Sequence, residues 1–206
     1  MSIIIVDNEI EALASLKGLL TGDNYRNCFL EQISRIPEYN GKQIILPNAE
    51  DIITESYDAN SNNNTGCYES CLKHIKEKDV PLFLIDLFLH NNEHNQIDQK
   101  EYMNYSGYIF AKGLDEYLNE RSIVHSISTI SLFFRDVSST TNTEFGRLIY
   151  KPFYSCTNQL DSEGRVPMAE YCSDLYNTPP QLNVRSRAQA FCNIVFYRYI
   201  KILMEE

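Results

Sequence analysis

Positive charge is scarce in this sequence: 18 Lys and Arg stand against 28 Asp and Glu, a formal net charge of −10. That deficit excludes a surface built to collect phosphate backbones, which needs clustered Lys and Arg. It also disfavours adsorption to anionic lipid. Neither nucleic acid nor a membrane is an expected partner. Long hydrophobic runs are missing as well. The first, Ile3-Ile4-Ile5-Val6, follows Met1-Ser2 with no basic residue before it and stops at Asp7, far short of a signal-peptide core. Nothing approaches the ~20 apolar residues of a membrane span, so a cytoplasmic protein is expected. The eight glycines are isolated, which leaves no Gly-rich phosphate loop and no Gly-x-Ser-x-Gly elbow for a serine nucleophile. Cys28, Cys67, Cys71, Cys156, Cys172 and Cys192 show no disulfide-scaffold spacing, and with no export signal reduced thiols are expected.

What is present is an ordinary globular composition. At 206 residues and 43% hydrophobic, the chain can bury the core of one domain spanning residues 1–206. Asp58 to Gly66 is polar and Asn-rich and reads as a mobile loop. Ile3 to Val6 has the wholly apolar, β-branched character of a strand covered on both faces. Asn8 to Leu20 then takes helical spacing, with Ile10, Leu13, Ala14, Leu16 and Leu20 on one side, and Gly22 marks its end. Gln43 to Pro47 reads as a second strand. Tyr68 to Lys78 reads as a helix with Cys71, Leu72 and Ile75 inward. Pro81 to Ile85 is the most apolar strand.

A helix follows over Ser106 to Asn119, with Tyr108, Ile109, Ala111, Leu114 and Leu118 as its apolar face. Ser122 to Ser128 and Leu148 to Tyr150 read as strands. Arg185 to Met204 reads as an amphipathic helix with Ala188, Phe191, Val195, Tyr199 and Ile202 inward. Strand–helix alternation of this kind predicts a parallel sheet with helices on both faces and right-handed crossovers. The natural candidate is a flavodoxin-like three-layer α/β/α fold with a five-stranded parallel sheet of order 2-1-3-4-5. Function in such folds gathers beyond the carboxyl ends of the strands.

At those ends stand Asp7 and Asn8, Asp86, the hydroxyls Ser128 and Thr129, and Lys151. Two carboxylates converging at one sheet edge need a cation, and a hard divalent ion is the usual solution. A lysine and a hydroxyl nearby suit the oxygens of a transferred phosphoryl group. Ile4-Ile5-Val6-Asp7-Asn8-Glu9, Leu84-Ile85-Asp86-Leu87, Ile127-Ser128-Thr129 and Tyr150-Lys151-Pro152-Phe153 resemble, in order, the four signature segments of response-regulator receiver domains. The resemblance covers residues 2–153, closed by the helix at 185–204, with insertions at about 24–66 and 154–184.

It implies a stand-alone, non-enzymatic two-component signalling protein. Asp86 would accept a phosphoryl group from a partner histidine kinase or phosphotransfer protein. Asp7, Asn8, Asp86 and the backbone carbonyl of Phe88 would hold Mg²⁺. Ser128 or Thr129, with Lys151, would bind the phosphoryl group and switch the binding of a downstream protein, and homodimerisation is compatible with this. Ser128 follows an apolar strand residue directly, whereas Thr129 has the family's usual distance to Lys151. Asn8 stands where the family carries a second acid, and Leu148 where it carries an aromatic switch residue. The alternative implied is a degenerate, phosphorylation-independent receiver-like interaction module.

Blander explanations accompany each feature. Asp7 and Asp86 could simply cap helices. Cys67, Cys71 and His74 share helical spacing but lack the fourth ligand of structural zinc. His90, Glu93 and His94 read as a solvated lid, and His125 as a satisfied core or edge histidine. The basic residues Arg185, Arg187, Arg198 and Lys201 read as a helix surface paired with acids. A hydrolase of the haloacid-dehalogenase type would need an Asp at position 88, where Phe88 stands.

Overall fold

The computed structural model describes residues 1–58, 64–77, 79–90, 93, 102–131, 145, 149–150 and 184–205. Four strands form the body of a parallel sheet: β1 (Ile3–Asp7), β2 (Ile52–Ser56), β3 (Leu82–Asp86) and β4 (Ser126–Ser131). A two-residue β5 (Ile149–Tyr150) pairs onto the end of β4. The strand order is β2-β1-β3-β4-β5 and each pairing is parallel. The α/β class with a parallel sheet is therefore as expected. β1 and β3 are buried along their whole length, which is why they carry continuous apolar runs instead of alternation.

Helices cover both faces. α3 (Asn64–Lys73) and α4 (Ser106–Asn119) pack on the face lined by Ile4, Val6, Phe83, Ile85 and Ile127. α1 (Ile10–Thr21) and α5 (Val184–Glu205) pack on the face lined by Ile3, Ile5, Leu82, Leu84 and Ile130. α4 begins and ends where its sequence pattern does. Its inner face differs in one respect: Phe110 is buried, and Ile109 is 54% exposed. α1 shows the same kind of correction. Ile10 is 73% exposed and Ala14 faces solvent, whereas Ala12 joins Leu13, Leu16 and Leu20 inside. The buried arc is narrower than i, i+4 counting from Ile10 implies.

The second strand is displaced from its expected place. Gln43 to Pro47 forms no strand; β2 is Ile52–Ser56. Pro47 has no N–H to offer a ladder, and Arg26 donates to its carbonyl at 2.7 Å. The segment instead sends Leu46 into the core and leaves Ile45 outside. Residues 64 to 66, expected as loop, open α3, which ends at Lys73 instead of Lys78.

Asp23 to Ile33, which shows no clear apolar stripe in the sequence, forms α2 (Asp23–Ile33). Gly22 joins it to α1, ending one helix by donating to Leu19 and opening the next by accepting from Tyr25 and Arg26. α2 lies against α5, with Phe29 against Phe196 at 5.4 Å between ring centroids. Asn193, itself buried, donates to Gln32 at 2.9 Å, and Gln189 donates to the Tyr25 carbonyl at 3.0 Å. Packed between sheet and α2, α5 is buried at every residue from Ala190 to Phe196. That is far more than the single stripe its sequence suggests.

Among the described residues, no helix is long and apolar enough to cross a membrane. Burial pushes the phenols of Tyr68 and Tyr199 up to about 12. The unfolded chain ionises these groups near pH 10 while the folded chain keeps them neutral, so stability holds below about pH 9 and falls as pH rises from 10 towards 12. Tyr68→Phe should raise the midpoint of alkaline unfolding measured by circular dichroism. An unchanged midpoint would contradict this assignment of the alkaline loss.

Candidate functional site

The β1–β3 register ends on Val6 opposite Ile85, so Asp7 and Asp86 are the next pair at the carboxyl edge. Asp7 is fully buried and Asp86 is 3% exposed. Alternation puts both on the α1/α5 face, with Ile3, Ile5, Leu82 and Leu84 beneath them. Two carboxylate charges one strand spacing apart repel by about 3 kcal/mol at an effective dielectric of ~20. Asp7 also helps open α1, since its Oδ1 accepts the Glu9 N–H at 2.9 Å.

The structure brings Asn8 and Phe88 to the same edge, Asn8 half-buried after β1 and Phe88 buried two residues past Asp86. The Phe88 ring packs against Tyr105 at 4.8 Å between centroids. Among the described residues, no group of three or more His, Cys, Asp or Glu gathers to hold a metal. The donors at the edge are instead two carboxylates, an amide oxygen and a main-chain carbonyl. An all-oxygen set of this kind fits a hard cation of the Mg²⁺ class.

The hydroxyls need correction. β4 runs on to Ser131, so Ser128 and Thr129 lie within the strand, opposite Leu84 and Ile85, below the level of Asp86. Ser128 accepts a hydrogen bond from the Arg198 guanidinium of α5, and Thr129 is buried on the opposite, α3/α4 face. Ser131, one step past Ile130, the partner of Asp86, is buried; alternation turns it, like Thr129, to the α3/α4 face, and it is its place past the last β3–β4 pair that sets it at the carboxyl edge. Its signal was present in the apolar Ile130 that precedes it. Ser126, Ser128 and Thr129 look like a strand terminus, but buried hydroxyls sit in a strand when they find hydrogen-bond partners. Lys151 and Pro152 follow β5 in the chain and lie outside the described residues, as do Leu148 and His94.

Glu93 is not a solvated lid residue. It is 4% exposed, and its carboxylate faces the start of α4, accepting the Ser106 N–H at 3.0 Å and the Ser106 hydroxyl. Nothing local in the sequence signals this contact, since the partners are thirteen positions apart. His90 stands edge-on to Tyr57 at 5.8 Å. His125 is satisfied, with Nε2 at 2.9 Å from Asp115 and Nδ1 at 2.7 Å from the Ile123 carbonyl. Arg198, expected on a helix surface paired with acids, also reaches the sheet, where it donates to Ser128.

His74 lies past the end of α3, with Nε2 3.3 Å from Glu55, so it does not continue the Cys67–Cys71 face. Both thiols are free. The Cys67 contact, with burial, pushes the Cys71 thiol up and keeps it protonated. No family model matches this chain, and no curated protein or solved structure matches it either.

α4 is pressed hard onto the site. Gly107 donates to the Leu87 carbonyl at 3.0 Å, and a Cβ on Gly107 would stand 1.8 Å from the Asp86 carbonyl oxygen. Gly107→Ala therefore cannot be absorbed by a side-chain shift, because the obstacle is backbone. Urea unfolding should show a loss of about 3 kcal/mol or more, at the upper end of overpacking costs. A loss under about 0.5 kcal/mol would show that α4 does not approach β3 so closely.

Proposed function

We propose that the chain is a flavodoxin-like, receiver-like signalling protein in which Asp86 accepts a phosphoryl group from a partner histidine kinase or phosphotransfer protein. The observation that carries this reading is the side-by-side placing of Asp7 and Asp86, buried at the carboxyl edge of a parallel sheet. In the transfer, the P–N bond of the partner's phosphohistidine breaks and a P–O bond to an Asp86 carboxylate oxygen forms. The imidazole nitrogen leaves with the bonding electron pair.

Asp7, Asn8, Asp86 and the Phe88 carbonyl would hold Mg²⁺, which when bound supplies positive charge to the phosphoryl oxygens. Ser131, from its place at the end of β4, supplies a hydroxyl to the same oxygens, and Lys151 an ammonium. The added charge biases a pre-existing equilibrium in the surface around β4, β5 and α4, which a downstream protein reads.

Incubation with Mg²⁺ and acetyl phosphate should add one phosphoryl group to the protein, located at Asp86 by mass spectrometry and abolished in Asp86→Asn. Beryllofluoride with Mg²⁺ should raise stability by about 2.7 kcal/mol at a hundredfold excess over Kd. No adduct and no stabilisation would remove the phosphoryl switch.

The near-complete burial of both carboxylates favours a second reading, a phosphorylation-independent interaction module. In that case Asp86→Ala leaves partner binding intact, and loss of binding on that substitution alone would count against it.

A further inference from the structure

Glu93, Ser106 and the Leu89 N–H are joined by a short chain of hydrogen bonds. The Glu93 carboxylate receives both the N–H and the hydroxyl proton of Ser106. With its proton committed there, Ser106 Oγ turns a lone pair to the Leu89 N–H, which it accepts at 2.9 Å. The Leu89 N–H and the Phe88 C=O belong to one peptide plane, and a trans peptide directs them in opposite senses. An N–H aimed at the start of α4 thus sends the Phe88 carbonyl away from α4. The face away from α4 is the one that alternation assigns to Asp7 and Asp86. The peptide on the other side of Phe88 is held as well. The Leu87 carbonyl accepts from Gly107 at 3.0 Å, and one peptide earlier the Leu87 N–H donates to Ile130 at 2.8 Å.

We propose that Glu93 and Ser106 are positioning residues that aim the Phe88 carbonyl at the Asp7–Asp86 pair, making it an oxygen ligand of a divalent cation held there. The proposal rests on the receiver-like reading. It adds to that reading a buried carboxylate outside the four signature segments, acting on the cation site through one serine and one peptide plane. Partners that orient a metal ligand in this way typically govern affinity by 10–100-fold.

The test is Mg²⁺ titration calorimetry on the full chain, with hydrogen exchange at the Leu89 amide as a second readout. Glu93→Ala and Ser106→Ala should each weaken Mg²⁺ binding about tenfold or more and speed exchange at Leu89. Glu93→Gln keeps an oxygen for the Ser106 N–H and should recover part of the affinity, which a general loss of packing would not do. Far-UV circular dichroism identifies folded variants. If Glu93→Ala does not fold, Ser106→Ala and Glu93→Gln carry the test. Wild-type Mg²⁺ affinity in folded Ser106→Ala or Glu93→Ala overturns the positioning role alone. A wild-type protein that takes up no Mg²⁺ overturns it together with the receiver-like reading.

Discussion

The register between β1 and β3 is the constraint on which the rest depends. Both strands are apolar on both faces, so sliding one past the other by a residue would exchange only apolar neighbours, Ile for Ile or Val along β1 and Leu for Phe or Ile along β3. Alternation, which fixes register in half-exposed sheets, has no grip here. The polar ends supply it. A slip would drag Asp7 or Asp86 down among Leu84, Ile85 and Val6, where an ionised carboxylate costs several kcal/mol without partners. The carboxylates thus help to set the pairing that brings them together.

From that edge the order extends outward through backbone bonds. β3 continues into Leu87, which bonds to Ile130 of β4, and into Leu89, which is tied to Ser106. Gly107 lets the first turn of α4 rest on the Asp86 peptide, a contact no side chain could share. The segment after Asp86 is therefore fastened to α4 at the Asp86 peptide, at the Leu87 carbonyl and at the Leu89 N–H, and to β4 at the Leu87 N–H. On the opposite face, α5 reaches the sheet through Arg198 and Ser128 and is enclosed outside by α2. A hydroxyl expected to serve the site instead holds a helix to the sheet.

The parts legible in the sequence are those whose pattern and environment agree. β1 and β3 announced themselves as apolar runs ending in Asp, and α4 as a long helical stripe. The edge strand β2 did not, because Thr54, Glu55 and Ser56 give it the polarity of a loop, while Ile44, Ile45 and Leu46 offered a more apolar decoy. α2 carries only Phe29 and Ile33 as fully buried anchors, and its place is decided by α5, which comes some 160 residues later in the chain. The hydroxyls of β4 resemble a strand terminus in the sequence, and only pairing with β3 shows that Ile130 and Ser131 continue it. Glu93 was invisible for the same reason, since its meaning lies in a tertiary contact with Ser106.

The central claim is that Asp7 and Asp86 share one electrostatic environment. A double-mutant cycle in urea, combining Asp7→Asn with Asp86→Asn, measures that directly. The expected result is a coupling free energy of at least about 1 kcal/mol between the two substitutions. Changes that add to within about 0.5 kcal/mol would mean that the two carboxylates do not sense one another, and would contradict a common site.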